Sequence, residues 1–459
     1  MPHPSAFSVP RWQAALLGLL LTAASMRLGA LAVWRDEIAS TRLYLLYQGA
    51  TLGFNYFEFG AVRRGLGSSI VHLLSGDMIV ATAAFHVLSA LAVAAVAAWL
   101  FRRAEVRGLG RITLALVMLA LMLRWSEDPG RADMAVAALL GAATIAMQRR
   151  RPVVACACVC IGLFVHEASF IFGLPLLAAL ALRQGGRDAF TRRAFTIALT
   201  RRAGPDAFTP HAPPDALTRR AGIGVAAVFA ATLAVYFALP LLPHADTATM
   251  VAGVRAKFPP SEYVEWAIYF AVSGLRGVRT SLCQNAIDPT YGVHVAGGVA
   301  VLLLIWLALE PHPRRGWATA ALAAVPPFAF LFVVANDMAR WTVLAGFNLW
   351  LLQAAMPARG TGGGERGGAA RGALDEHEAQ VRCARDAARR AGWRLAFALA
   401  LFPLTLARFG LVPLRIYAPS PTIEWIARVL GGPATPHITT VLERCDPGWR
   451  SVLDAPAAR

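Results

Sequence analysis

Lysine is almost absent from this chain. Lys257 is the one lysine among 459 residues, although lysine and arginine together number 44 and the formal net charge is +17. Charge of either sign is also scarce, because charged residues make up 15% of the chain against about a quarter in soluble globular proteins. With 57% hydrophobic residues and a mean hydropathy of +0.52, the composition excludes an ordinary soluble protein and predicts a polytopic membrane protein.

The excess of arginine does not indicate nucleic-acid binding. The arginines lie in short clusters between apolar runs, which is where membrane proteins place the basic residues of their cytoplasmic loops. We therefore expect membrane lipid, and no nucleic acid, as a partner. Cysteine is sparse as well, and Cys156, Cys158 and Cys160 fall inside an apolar run, where small buried thiols are common.

Apolar runs long enough to cross, or nearly cross, a bilayer recur along the chain. They fall at about 12–34, 78–101, 112–124, 133–148, 153–166, 168–182, 222–242, 293–309, 317–334, 341–356 and 393–411. The pair His166–Glu167 divides two of them, because burying this pair in mid-membrane would be costly and a hairpin turn at the surface exposes it. The sequence predicts an all-α transmembrane bundle of about 11 spans.

The positions of the basic clusters give this bundle an orientation. Arginines are concentrated in alternate loops, at 102–111, 149–151, 183–220, 314–315 and 359–394. The positive-inside rule makes these loops cytoplasmic. We expect a multi-pass protein of the bacterial inner membrane with a cytoplasmic N-terminus, an uncleaved first span and a periplasmic C-terminus.

The same pattern divides the chain into segments. We distinguish a transmembrane core at 1–182 with an external loop at 35–77, a cytoplasmic low-complexity loop at 183–221, a second transmembrane part at 222–356 with an external loop at 243–292, a cytoplasmic Gly/Arg-rich linker at 357–392, a last span at 393–411 and a short external tail at 412–459.

Cys283 and Cys445 both fall on the predicted external side. An oxidising compartment would allow them to pair and to tie the tail to the 243–292 loop. Two unpaired thiols are an equal alternative, because sequence separation says nothing about the distance between them.

Ionisable side chains gather at the predicted external ends of several spans. They are Asp36, Glu37, Glu58, Arg63, Arg64, Asp128, Arg131, Asp133, His166, Glu167, Asp337 and Arg340. Any one of them could be a helix-end charge that meets lipid headgroups. Because several loops each bring acid and base to one surface, we expect the set to line a shared polar cavity with a function.

Such a cavity suits one kind of chemistry. A carboxylate directly after the first span, Asp36 or Glu37, could draw the proton from an acceptor hydroxyl as a general base. Arginines beside it could hold a phosphate through paired N–H donors. Tyr44, Tyr47 and Phe57 favour interfacial helices in the 35–77 loop. Together these features predict transfer of a group from a polyprenyl-phosphate donor.

The order of these features resembles the GT-C superfamily of integral membrane glycosyltransferases, which includes protein O-mannosyltransferases and aminoarabinose transferases. The similar segments are WRDE at 34–37, the junction and second span at 72–103, EDPGRAD at 127–133, VHEASFIFGLP at 165–175 and NDMARW at 336–341. The chain departs from many members in having only a short external tail after the last predicted span.

The resemblance implies roles for individual residues. Asp36 would be the catalytic base, with Glu37 as the other candidate, and the donor phosphate would be held by Arg63, Arg64, Arg131 and Arg340. Some relatives use a divalent metal, but here the carboxylates alternate with arginines that would oppose a cation, so we expect no cofactor and no metal. A lipid-linked substrate transporter or flippase, and a membrane acyltransferase that uses His166 as its base, are alternative functions.

Overall fold

The computed structural model of the protein is helical throughout the part of the chain that it describes. The described residues are 38–62, 64–103, 109–126, 130–185, 216–287, 291–310, 313–334, 338–355, 392, 394, 396 and 438–454. Within them the only β-type pairing is an isolated bridge between Gly60 and His244. The predicted first span at 12–34 lies outside these residues, as does nearly all of the predicted last span at 393–411.

Seventeen helices within the described residues are numbered in chain order. They are α1 (Ile38–Thr51), α2 (Tyr56–Phe59), α3 (Gly65–Leu74), α4 (Met78–Arg103), α5 (Leu109–Ser126), α6 (Asp133–Gln148), α7 (Pro152–Val165), α8 (Ala168–Gly185), α9 (Ala216–Ala238), α10 (Thr247–Arg255), α11 (Glu262–Val272), α12 (Leu275–Ile287), α13 (Tyr291–Leu309), α14 (Pro313–Val334), α15 (Met338–Ala354), α16 (Ile438–Cys445) and α17 (Trp449–Leu453). Every predicted apolar run that falls wholly within the described residues coincides largely with one of these helices.

The helices form two packed groups with separate cores. The bundle, α4–α9 and α13–α15, has a core of aliphatic side chains with Phe172, Phe347 and Trp350 fully buried among them. The cap is made of the segments 38–77, 243–287 and 438–454, and its core includes Trp266 and Tyr269. The three cap segments fall within stretches that the sequence predicts to be external, 35–77, 243–292 and 412–459.

One bundle helix is long and apolar enough to cross a membrane by itself. Among the described residues, only the stretch Met78–Phe101 of α4 meets that length and composition, and half of its most apolar window is buried against neighbouring helices. Seven of the other bundle helices, α5–α9, α13 and α14, have shorter apolar stretches of between 10 and 17 residues. The fold is therefore all-α with one helix of full membrane length in the described part.

The outward faces of the bundle helices are nevertheless strongly apolar. Exposed side chains include Val80, Val87, Leu88 and Leu91 on α4, Ile161 on α7, Phe237 on α9, Leu303 on α13, and Trp317 and Phe330 on α14. Soluble monomers rarely expose large apolar side chains in such numbers. Where they occur together, they mark a surface that contacts a partner or a membrane.

A buried amide on α15 bonds to the backbone of two other bundle helices. The Nδ2 group of Asn348 on α15 donates to the carbonyl oxygens of Phe172, at 2.9 Å, and Ala323, at 3.0 Å. Pro327 has no N–H to bond the carbonyl of Ala323, so the bond from Asn348 gives that carbonyl a donor. Asn348 therefore joins α15 to α8 and α14, and on α14 it bonds a carbonyl that the helix itself leaves without a donor.

The tail segment 438–454 is held firmly on the cap. A disulfide joins Cys283 on α12 to Cys445 on α16, so the pairing that the sequence left open is formed. The next residue, Asp446, accepts two hydrogen bonds of 2.6 Å from Arg276 and one from the Tyr269 hydroxyl. The Arg276 hydrogen bonds lower the pKa of Asp446, while burial, with the Asp446 bond, raises that of Tyr269 to about 12.

We expect Cys445→Ser to destabilise the protein by about 2–4 kcal/mol, because the disulfide restricts the unfolded chain between two residues 162 positions apart. The check is thermal unfolding of purified protein with and without reductant. Cys283→Ser and the double variant should match the single variant, since all three lose the same bond, and Cys158→Ser should behave like the wild type. Additive losses from the two cysteines would contradict the prediction.

Candidate functional site

Polar side chains from separate parts of the chain meet at one end of the bundle, beside the cap. We call this group the polar cluster: Arg64, Arg131, Asp133, His166, Glu167 and Arg340. Its members lie just before α3, at the start of α6, in the turn between α7 and α8, and in the first turn of α15. Helix ends are suited to this task, because side chains there can reach across the mouth of a bundle.

The best-buried contact of the polar cluster is between Arg340 and Asp133. The Arg340 Nε atom lies 2.6 Å from each carboxylate oxygen of Asp133, and the Asp133 side chain is only 4% exposed. Asp133 is the first residue of α6, where the helix dipole also favours a negative charge. The ion pair fixes the guanidinium at the mouth of the bundle.

His166 stands between two N–H groups. The Arg340 Nη2 atom lies 2.9 Å from its Nε2 atom, and the backbone N–H of Ala168 donates to its Nδ1 atom at 3.1 Å. Burial, followed by the positive charges of Arg64, Arg340 and Arg131, holds the pKa of His166 well below its usual range. The imidazole is therefore neutral at physiological pH.

Glu167 connects the bundle to the cap. Its Oε2 atom lies 2.5 Å from Nε of Arg64, and its Oε1 atom accepts from the Tyr236 hydroxyl at 3.2 Å. Arg64 has a φ of 59°, a left-handed conformation that costs energy in a residue other than glycine. The cap thus supplies one guanidinium to a turn that belongs to the bundle.

The backbone conformation just before α6 requires a glycine. Gly130 has a φ of +92°, and a Cβ atom there would lie 2.3 Å from the Thr82 side chain and 3.1 Å from that of Gln48. Only glycine therefore lets the loop pass between α1 and α4. This close approach places the following residue, Arg131, near enough to His166 for its charge to lower the pKa of the imidazole.

The aromatic ring of Trp341, on α15, lies beside the polar cluster. The Arg340 guanidinium lies 4.3 Å from the ring centroid of Trp341, which also neighbours the rings of His166 and Phe172. A cation held over an indole gains electrostatic attraction from the ring face. Trp341 therefore supports Arg340 in addition to Asp133.

Glu58 is engaged elsewhere, within the cap. Its carboxylate accepts hydrogen bonds from Lys257 and Asn55 and lies 3.8 Å from His72. Burial opposes ionisation of Glu58, but the bonds from Lys257 and Asn55 outweigh it and lower its pKa. The sequence expectation of one cavity shared by every outer charge thus differs from the structure, in which Glu58 belongs to a second group that joins two cap segments.

The remaining predicted site residues lie outside the described residues. They are Asp36, Glu37, Arg63, Asp128 and Asp337. Asp36 and Glu37 directly precede α1, and Asp337 directly precedes α15. Their roles stay predictions.

Sequence reasoning assigned no role to Tyr236, Trp341 or Lys257. Two of them could have been suspected from the sequence, although only weakly. Tyr236 has a hydroxyl group near the end of an apolar run, and Trp341 directly follows Arg340, a predicted site residue. Lys257 carried a stronger signal, because it is the one lysine of the chain and lies in a loop that the sequence predicts to be external. Its actual partner, Glu58, is 199 positions away.

No group of three or more His, Cys, Asp or Glu residues placed to hold a metal ion occurs within the described ranges. Both carboxylates of the polar cluster are already hydrogen-bonded to guanidinium groups. The donor set described here is thus suited to an anion. Comparison of the chain with protein-family models, with curated proteins and with solved structures finds no match in any of the three.

Proposed function

We propose that the protein is a GT-C-like membrane glycosyltransferase. It moves a sugar from a polyprenyl-phosphate donor to an acceptor in the cell envelope, at the periplasmic face of the bacterial inner membrane. The convergence of Arg64, Arg131 and Arg340 around His166 carries this proposal, because guanidinium groups held in place by other side chains make a phosphate site.

The membrane setting is supported by the surface of the bundle. Its helices expose apolar side chains to the outside, and α4 is long enough to cross a bilayer. About 11 spans, with α4–α9 and α13–α15 among them, place the cap outside and the arginine-rich loops in the cytoplasm. A disulfide inside the cap fits an oxidising compartment such as the periplasm.

The position of the polar cluster suits a lipid-linked donor. It lies where the cap meets the bundle, so a polyprenyl chain can remain against the apolar helix faces while its phosphate reaches the arginines. Asp36 or Glu37 serves as the base, since these carboxylates directly precede α1 in the sequence. The acceptor hydroxyl loses its proton to that carboxylate and attacks the anomeric carbon, the bond to the phosphate oxygen breaks, and the configuration inverts.

The contacts of His166 argue against the acyltransferase alternative. A general base must accept a proton and hold it as an imidazolium during the reaction. Here Arg340 and a backbone N–H contact the ring, and burial together with the charges of Arg64, Arg340 and Arg131 lowers the pKa of the imidazole, which opposes a second proton. Glycosyl transfer with a carboxylate base does not require His166 to change charge.

The test is a transfer assay on protein in lipid nanodiscs with a panel of undecaprenyl-phosphate sugars. We expect either Asp36→Asn or Glu37→Gln to lose transfer by at least about 100-fold while donor binding persists. Glu262→Gln, a change at an exposed carboxylate of the cap, should keep full activity. Donor binding without transfer by the wild type would contradict the enzyme proposal and favour a lipid carrier or flippase.

A further inference from the structure

His166 faces a hydrogen-bonding conflict that its neighbours in the structure do not resolve. A neutral imidazole has one nitrogen that donates and one that accepts. The nitrogens of His166 lie 3.1 Å from the Ala168 N–H and 2.9 Å from Arg340 Nη2. Both neighbours can only donate, so one of the two contacts brings two N–H groups together.

The Ala168 contact decides which nitrogen carries the proton. Ala168 is the first residue of α8 and is buried, so its N–H has no partner within the helix and needs an acceptor from outside. The Nδ1 atom of His166 is that acceptor. The ring proton is then on Nε2, which is the nitrogen that faces Arg340.

Protonation would not remove the conflict. It would place an N–H on Nδ1 against the Ala168 N–H, and it would add a positive charge beside Arg64, Arg131 and Arg340. The described carboxylates of the polar cluster are bound to other cations, Asp133 to Arg340 and Glu167 to Arg64. Glu167 Oε2 also lies 3.8 Å from Nδ1 of His166, which is beyond hydrogen-bond distance. Tyr236, a further titratable side chain beside Glu167, donates to that carboxylate.

An acceptor oxygen between Arg340 Nη2 and His166 Nε2 would satisfy both donors at once. The guanidinium is already anchored through Nε on Asp133, and its Nη2 group lies beside the ring, 2.9 Å from Nε2 of His166. We propose that this oxygen belongs to the phosphate of the substrate, and that His166 selects the phosphate as a neutral Nε2–H donor. The inference rests on the proposed function and adds to it a residue that determines specificity without exchanging protons.

Two amide substitutions test the contributions of the two ring nitrogens of His166 separately. Glutamine can place an amide N–H near the position of Nε2, whereas asparagine reaches only the position of Nδ1. The probe is farnesyl phosphate, with farnesol as the uncharged control, titrated calorimetrically into protein in detergent micelles. Each variant must elute as a single species of wild-type size before it is titrated.

We expect His166→Gln to bind farnesyl phosphate within a few-fold of the wild type, and His166→Asn to bind it about 10- to 100-fold more weakly, because a hydrogen bond to a charged group is lost. Farnesol binding should be equal in all three proteins. After correction for the ionisation of free farnesyl phosphate, the ratio of wild-type to His166→Asn affinity should be constant from about pH 6 to pH 8.

Other outcomes would overturn the inference in distinguishable ways. Equal weakening by glutamine and asparagine, or a wild-type advantage that fades as the pH rises, would mean that an imidazolium binds the phosphate. Unchanged binding in both variants would mean that His166 makes no contact with it. In each of these cases the arginine site would remain. Failure of the wild type to bind farnesyl phosphate more tightly than farnesol would remove the proposed phosphate site itself.

Discussion

Arg340→Gln is expected to weaken donor binding and to reduce transfer strongly. The change removes the guanidinium that lies between Asp133 and His166 and that, in the proposed function, holds the donor phosphate. Loss of one charge-assisted contact weakens binding by about 1.5–3 kcal/mol. Transfer should fall by at least about 100-fold, because negative charge grows on the phosphate as the sugar leaves.

The same substitution should also reduce stability, for a reason separate from catalysis. Asp133 is 4% exposed, so removal of its cation leaves a buried carboxylate without a countercharge. Breaking a buried ion pair by removing one partner costs about 3–5 kcal/mol. Thermal unfolding of Arg340→Gln in detergent should therefore show a clearly lower midpoint.

A double substitution distinguishes the two effects. In Asp133→Asn/Arg340→Gln both charges are replaced by neutral amides, so most of the lost stability should return. Donor binding should not return, because the phosphate still lacks its guanidinium. If the double variant recovered both properties, Arg340 would have a structural role only. Arg340→Lys, which keeps a charge but not the paired N–H geometry, should retain stability and bind the donor weakly.

The location of several polar cluster residues at helix ends could be predicted from the sequence. His166–Glu167 interrupts an apolar run, and Asp133 and Arg340 each stand at the border of another, so their location at helix ends followed from the cost of burying charge in a membrane. Helices that cross a bilayer in alternation bring alternate ends to the same side. The presence of these charges on one face was therefore predictable.

The pairing of those charges was not predictable. Arg340 contacts Asp133 and His166 from 207 and 174 positions away, and nothing in local sequence selects these partners over Glu58 or Glu167. The Cys283–Cys445 bond was open for the same reason, because it depends on how the tail packs on α12. Such contacts follow from the packing of whole helices, which periodicity does not specify.

The environment of Arg183 differs from the exposed loop that the local sequence predicts. The residue stands at the end of an apolar run and before a stretch rich in arginine, so the sequence grouped it with the basic residues of the 183–221 loop. The structure places it in the last turn of α8, with its side chain 8% exposed. Its acidic partner is 127 positions away in sequence, so only the packed bundle reveals the buried pair.

Loss of either member of this pair should lower the stability of the protein strongly. Arg183 lies 2.7 Å from Glu310 and also donates to Thr319, at 2.6 Å, and to Gln353, at 3.3 Å. It thereby joins the ends of α8, α13, α14 and α15. We expect Glu310→Gln and Arg183→Met each to destabilise the protein by about 3–5 kcal/mol, because each leaves a buried charge without its partner.

A matched control is available on the surface of the cap. Glu262 pairs with Arg450 at 3.6 Å, and the two side chains are 57% and 62% exposed. Exposed pairs contribute little because water screens them, so Glu262→Gln should unfold at nearly the wild-type temperature. Equal effects of Glu262→Gln and Glu310→Gln would contradict the prediction that burial determines the cost.

The Arg183 pair should affect stability without affecting the site. It lies at the end of the bundle opposite to the polar cluster, and Gln353 is 13 residues beyond Arg340 along α15, about 20 Å of helix. Substitutions at positions so far apart act independently. Folded Glu310→Gln protein should therefore bind farnesyl phosphate as tightly as the wild type, whereas Arg340→Gln protein should not. If Glu310→Gln weakened both stability and binding, the two ends of the bundle would be coupled through α15.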